Sequence, residues 1–365
     1  MTIQQISSFL ETFAPASLQE SYDNAGLLTG DPNGECTGII TALDATEAVV
    51  REAIEKNCNL VVAHHPIIFG GLKKITGRNY VEKTVIAAIK NDIAIYAIHT
   101  NLDNIITGVN GKIADLLGLE NRSILQPKKG LNRKLVTFVP QAQAEAVRNA
   151  LFAAGAGTIG NYSECSFTMA GEGSFKGGPG TTPFVGEAGL RYAEQELRVE
   201  TIYPVWVENQ LLKALLAVHP YEEPAYDIFL LDNARQHFGS GLIGDLPEAV
   251  PAADFLQQLK RVFNLTVVRH TPLLGKPVQK IALCGGAGSF LTGAAVAAGA
   301  DFYVTGDVKY HEFFDANDQL IIADIGHFES EQYTVDLLFD ILREKFPNFA
   351  VLKTGVKTNP VNYFV

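Results

Sequence analysis

The sequence predicts an α/β protein: a discontinuous α/β domain with an inserted α+β ferredoxin-like domain. Three observations carry this. In the first and last thirds, short continuous apolar runs alternate with amphipathic helical patterns, as in βαβ units with a largely parallel sheet. In between, the strands switch to in–out alternation and the element order becomes βαββαβ. Three of the apolar runs, Leu60–Ala63, Ile93–Ile98 and Gln319–Ile325, are followed within two residues by histidine. The expected boundaries are 1–126 and 234–365 for the α/β domain and 127–233 for the insertion.

Residues 1–20 read as a helix with Ile3, Ile6, Phe9, Leu10 and Phe13 on one stripe. Gly38–Leu43 is a strand. Asp44-Ala-Thr-Glu47 has the spacing of a helix N-cap, the role preferred here for Asp44 over one supporting a metal. The helix Thr46–Lys56 leads to the strand ending in His64-His65-Pro66, where Pro66 stops pairing. A helix at Val81–Lys90, the strand Ile93–Ile98 and a helix at Asn110–Leu117 stopped by Gly118 complete the first part. The insertion runs strand Lys134–Val139, helix Gln141–Ala154, strand Tyr162–Gly171, a Gly-rich loop to Gly189, strand Glu196–Tyr203, helix Val207–Val218 and strand Ala225–Leu231. The last part has a helix at Ala253–Phe263, strands at Thr266–Arg269, Lys280–Cys284, Phe302–Thr305 and Gln319–Ile325, and helices at Leu291–Ala298, Tyr310–Asn317 and Phe328–Phe346. A final strand is expected at Ala350–Lys353.

Composition narrows the function. The 365 residues are 47% hydrophobic and 19% charged, as in ordinary globular proteins. Forty acidic against 29 basic residues give a net charge of −11, which argues against unspecific nucleic-acid binding. Cys36, Cys58, Cys165 and Cys284 lie far apart with no Cys-x-x-Cys pair, so free thiols in a cytoplasmic setting are expected. The opening residues read as a helix and not a signal peptide, and no run is long enough to span a bilayer.

The chemistry sits at the strand ends. If the three strands are parallel, His64 and His65, then His99 and Asp103, then His327 and Glu331 share one edge of the sheet, where open α/β sheets bind ligands. His64, His65, Asp103, His327 and Glu331 offer nitrogen and oxygen donors without thiolate, which suits zinc, iron, manganese or nickel. Five donors exceed one tetrahedral site, and a bridging carboxylate would hold two metals about 3.5–4 Å apart, as in phosphoryl-transfer centres. His327 and Glu331 at i, i+4 share one side of a helix start. His99 and His311 are candidates to tune or protonate a substrate, or else turn and helix histidines. Gly285-Gly-Ala-Gly288 reads as a plain βα turn before an anion site, and His219 as packed in a turn.

The motifs Asp23-Asn-Ala-Gly-Leu-Leu28, Leu43-Asp-Ala-Thr46, His64-His-Pro66, His99-Thr-Asn-Leu-Asp103, Gly306-Asp-Val-Lys-Tyr-His311 and Gly326-His-Phe-Glu-Ser-Glu331 occur in this order. In this the chain resembles the GTP cyclohydrolase I type 2 homologues, or Ngg-interacting-factor-three-like proteins. The resemblance implies two divalent metal ions per chain, zinc foremost, held by His64, His65, Asp103, His327 and Glu331, with Glu331 as the bridge. It also implies a toroidal homohexamer, and an insertion similar to the PII/CutA fold in which His219-Pro-Tyr-Glu-Glu-Pro224 matches a motif. It does not establish opening of the GTP ring. Two functions follow as expectations: a metal-dependent hydrolase of a nucleotide or related phosphorylated small molecule, or a non-catalytic regulatory protein whose insertion senses an effector. No membrane or nucleic-acid partner is expected.

Overall fold

The apolar run before the histidine pair becomes the middle strand of a sheet, fully buried from Leu60 to Ala63. In the computed structural model, which describes residues 1–364, the first segment runs α1 (Ile3–Phe13), β1 (Gly26–Thr29), β2 (Ile39–Asp44), α2 (Glu47–Glu55), β3 (Leu60–His65), α3 (Tyr80–Lys90), β4 (Ala94–Ala97), α4 (Thr100–Asp103), α5 (Val109–Leu117) and β5 (Glu120–Pro127). The middle segment runs β6 (Asn132–Pro140), α6 (Ala144–Ala153), β7 (Ser166–Lys176), β8 (Arg191–Pro204), α7 (Glu208–Val218) and β9 (Tyr226–Leu231). The last runs β10 (Gly239–Val250), α8 (Ala252–Val262), β11 (Arg269–His270), β12 (Val278–Ala287), α9 (Thr292–Ala297), β13 (Phe302–Gly306), β14 (Ile321–Asp324), α10 (His327–Glu331), α11 (Thr334–Lys345) and β15 (Val351–Lys353). Two units result: Met1–Pro127 with Gln236 onward, and Lys128–Arg235.

The outer segments build two sheets. One has the order β1-β4-β3-β2-β15, parallel except for β1. The other has the order β11-β14-β13-β12-β10-β5, in which only the neighbouring pairs β12–β13 and β13–β14 are parallel. This corrects the expectation of one shared sheet edge: β3 and β4 end in the first sheet, β14 in the second. Two strands of the second sheet, β5 and β10, escape the sequence reading. In β5 only Ile124 is buried, and glycines and a proline interrupt β10, so neither shows a period.

Other expectations are corrected locally. The cap of α2 is Thr46, whose hydroxyl accepts from the Val49 amide, leaving Asp44 free for another task. The helix expected at 328–346 divides between Glu331 and Thr334. There Gln332 donates to the Phe263 carbonyl and Tyr333 to the Val262 carbonyl, tying the break to the end of α8.

The middle segment forms an antiparallel sheet of order β7-β8-β6-β9. Leu135, Val139, Val199 and Tyr203 pack on one of its faces against Val147 and Leu151 of α6 and Leu211 and Leu215 of α7. Strand β7 continues to Lys176, through glycines that the sequence reading assigns to a loop. Among the described residues, no helix is long and apolar enough to cross a membrane.

Candidate metal centre

Each histidine of the cluster is held by one ring nitrogen and offers the other. His64 is fully buried at the end of β3, and its Nδ1–H donates to the Ile98 carbonyl at 2.9 Å. A carbonyl only accepts, so in the neutral ring Nε2 carries the lone pair. His65 donates from Nδ1 to Asp44 at 2.8 Å, and His327 from Nδ1 to Asp307 at 2.7 Å. Metal-binding imidazoles are fixed in this way.

The Nε2 atoms then converge. His65 Nε2 is 3.0 Å from Glu331 Oε2 and 3.4 Å from His327 Nε2, and His327 Nε2 is 3.2 Å from the same oxygen. His64 Nε2 faces the other oxygen, Oε1, at 3.8 Å, and Asp103 Oδ1 at 3.6 Å. The donors fall into sets whose atoms lie within 4.8 Å of one another: His64, Asp103 and Glu331; His65, His327 and Glu331; and His64, His65 and His99. Glu331 thus belongs to two sets and turns one oxygen to each.

The backbone around Glu331 is shaped for it. Gly286, at φ +64°, lies in an irregular stretch of β12, and a Cβ there would stand 2.4 Å from Glu331 Oε1. The Gly286 amide donates to Ser330, and the Gly285 amide to Asn110. The glycine run therefore makes room for a buried carboxylate.

Burial and charge oppose each other in the cluster. Burial, with Glu331 alongside, pushes Asp103 up to about 7. Burial would raise Glu331 too, but the imidazoles of His327, His64 and His65 outweigh it and hold it well below the usual carboxylate range. Burial disfavours the charged ring of His65, yet Asp44 and Glu331 push it up to about 10; Glu331 and Asp307 likewise push His327 up to about 9. The carboxylates thus favour positive charge at His65 and His327.

Within the cluster two buried atoms, His64 Nε2 and Asp103 Oδ1, have no hydrogen-bond partner among the described residues. Such atoms are costly unless something is coordinated there. Both point into the cluster, and the mixed imidazole–carboxylate set suits a divalent ion.

Of the residues the sequence singles out, the structure brings together His64, His65, Asp103, His327, Glu331 and His99. His99 donates from Nδ1 to Asp23, which also accepts from the Thr100 amide and hydroxyl. Those bonds outweigh burial and hold Asp23 at about 2. His311 stands apart, exposed, with its ring against Tyr310 and Phe314. Sequence reasoning gives no role to the residues that orient the rings, Asp23 and Asp307, and misassigns Asp44 as a cap. Asp307 directly follows β13 at φ +54°, so the strand-end rule that finds the histidines could have found it.

A cleft of ≈ 1050 Å³ opens over the cluster, bordered by Tyr22, Phe69, Tyr80, Phe290, Phe328 and Tyr363. Tyr22 and Phe69 stack at 6.3 Å, and Phe69 meets the His99 ring edge-on at 6.0 Å. The final segment lies along it: the Thr358 hydroxyl donates to Asp44, and Asn359 to Glu329 at 3.0 Å.

Known proteins share this chain's pattern. The sequence profile of Duf34/NIF3 (NGG1p interacting factor 3) matches residues 1–360. A Halalkalibacterium halodurans protein named GTP cyclohydrolase 1 type 2 homolog is 40% identical over 365 residues, covering 99% of this chain and 98% of its own. A Bacillus subtilis protein of the same name is 38% identical over 327 residues, covering 89% of this chain and 88% of its own. The crystal structure of a Bacillus cereus protein related to NIF3 superposes with a TM-score of 0.85 at 38% identity, covering 100% of this chain and 99% of that one.

Proposed function

The chain belongs to the Duf34/NIF3 family, and from that premise we propose that its cluster is a dinuclear divalent-metal centre serving hydrolysis of a nucleotide or related phosphorylated small molecule. The ligands are His64, His65, Asp103, His327 and Glu331, with zinc as the first candidate ion. One observation carries the reading: Glu331 turns Oε1 to His64 and Oε2 to His65 and His327, the arrangement of a bridging carboxylate. Two such ions supply Lewis acidity, a lowered water pKa and positive charge opposite a phosphoryl group.

The chain's own residues do the rest. Asp44, Asp307 and the Ile98 carbonyl hold the three imidazoles in the tautomer that presents Nε2. His99, backed by Asp23, has its ring centre 5.2 Å from that of His64 and 5.4 Å from that of His65, placed to exchange a proton with a leaving group. The stacked Tyr22 and Phe69 offer a flat surface to a base, and Arg269 borders the same cleft.

The test is a panel of phosphate esters and cyclic nucleotides given to protein of measured metal content. Metal-dependent turnover that disappears in His64→Ala is expected; ligand binding without turnover overturns hydrolysis and favours a regulatory role.

The domain reading belongs to the same proposal. The inserted unit is ferredoxin-like by its βαββαβ order and its sheet order, and the ligands lie outside it. Replacing it by a Gly/Ser linker should leave metal content intact; complete loss from a folded variant overturns the division. A cytoplasmic homohexamer is proposed from the family resemblance and the unpaired cysteines. A monomer mass by light scattering at micromolar concentration would overturn the hexamer.

A further inference from the structure

The inserted unit carries a second cavity, of ≈ 880 Å³, made wholly from its own residues. It lies on the sheet face opposite the helices. Leu197, Val199 and Tyr203 of β8 pack with the helices, so by strand alternation Glu196 and Arg198 project to the other side. Gly171 and Gly173 of β7 stand across from Glu196 and Glu194, and Phe175 across from Tyr192. The turn after α7 closes one wall. His219 fixes it, with Nε2–H donating to the Phe138 carbonyl at 3.0 Å and Nδ1 accepting from the Tyr221 amide at 3.1 Å.

That turn sets Tyr221 between two other rings. Phe175 is 5.8 Å away at 55° and Phe184 6.3 Å away at 52°. Both rings are tilted against Tyr221 and not stacked on it, and all three line the cavity. Behind them lies Glu196, only 7% exposed, which accepts from the Tyr221 hydroxyl at 2.7 Å and has no basic partner among its hydrogen bonds and ion pairs in the described residues. Its other oxygen occupies space that a side chain at position 173 would need, since a Cβ on Gly173 would approach it to 2.1 Å. The lining holds four carboxylates, Glu172, Glu196, Glu222 and Glu223, against Lys176 and Arg198. Arg198 is paired through Nη2 with Glu200 at 2.8 Å, and its buried Nε–H has no hydrogen-bond partner among the described residues.

We infer that this cavity is a binding site for a small organic ammonium ion, held by the faces of Phe175, Phe184 and Tyr221 and by the carboxylate of Glu196. Aromatic faces attract such cations through their quadrupole, most strongly where water is excluded. A buried carboxylate supplies the counter-charge. The glycines of β7 leave room for the ligand and for Glu196 itself. The site is independent of the metal centre, because no residue is shared.

Calorimetric titration of the full chain with tetramethylammonium, and separately with inorganic phosphate, tests it. Saturable binding of tetramethylammonium and none of phosphate is expected. Phe175→Ala and Tyr221→Ala should each weaken it about tenfold, Glu196→Gln should weaken it several-fold, and Phe175→Tyr should retain it. Metal content and far-ultraviolet circular dichroism must stay as in the parent. Absence of saturable binding at millimolar tetramethylammonium, preference for phosphate, or unchanged affinity in the folded ring variants overturns the proposal.

Discussion

His64 and His219 are both buried histidines at the end of a regular element, and they do opposite things. His219 uses both ring nitrogens within its own unit, one on the Phe138 carbonyl and one on the Tyr221 amide. His64 uses one, on the Ile98 carbonyl, and leaves the other bare among Glu331 and Asp103. Burial and residue type are the same; the number of satisfied nitrogens differs. The contrast teaches that a buried histidine signals a ligand only when its second nitrogen is left over and aimed at other donors.

The largest effect on that contrast should come from Glu331→Gln. The amide keeps the shape but removes the charge shared by both donor sets, so metal analysis of folded protein should find two ions per chain reduced to one or none. Asp103→Asn should keep at least one. Two ions persisting in Glu331→Gln would end the bridging assignment.

A smaller effect is expected where the ring is loosened but the ligand kept. Asp44→Asn and Asp307→Asn leave His65 and His327 in place without their carboxylate partners. Metal affinity should fall about 10–100-fold, the usual loss when such a partner is removed. Competition with a chelator measures it. Unchanged affinity in both would mean that the rings are positioned by packing alone.

Acidity sharpens the comparison further. In the metal-free protein His65 is pushed up to about 10 and His327 to about 9 from 6.5, against burial, by their carboxylate partners. A raised value in the fold means that the proton stabilises it. That contribution is complete below 6.5 and is lost as pH climbs through about 9 for His327 and about 10 for His65. Metal binding has the opposite sign, because the ion must displace these protons, so affinity should rise over the same range. Thermal melts of metal-free protein and metal titrations across pH should therefore slope in opposite directions. His219 shifts the other way, lowered by its burial, so its linkage to stability acts as pH falls below 6.5 and lies outside that range.

The smallest effect on the metal centre, none, is expected from His219→Ala. It strands the Phe138 carbonyl and the Tyr221 amide at a cost of about 1–3 kcal/mol of stability. Metal content should equal that of the parent, and a loss of metal from folded protein would refute the separation of the two histidine roles.

Much of the centre is legible because of how β-strands end. Val61 and Val62 announce a buried strand and Pro66 its stop, so the adjacent histidines had to sit at a sheet edge. The i, i+4 spacing put Glu331 beside His327, and α10 spans those two residues. Asp44 was misread because its spacing to Glu47 imitates a cap, while Thr46 two residues on makes the actual bond. β5 and β10 were missed because partly exposed strands broken by polar residues, glycine and proline carry little periodicity.

The sequence by itself determined which residues could be donors, that they lie at or just beyond strand ends, and that the middle segment runs βαββαβ. Those follow from local periods and turn residues, which are properties of neighbours along the chain. Only the tertiary structure decided that the donors come from two sheets, that Asp23, Asp44 and Asp307 orient the rings, and that Glu331 turns an oxygen to each donor set. His65 and Glu331 lie 266 residues apart in sequence and 3.0 Å apart in space. Strand pairing and hydrogen bonds across such separations are chosen by the packing of the whole unit, and no local pattern encodes them.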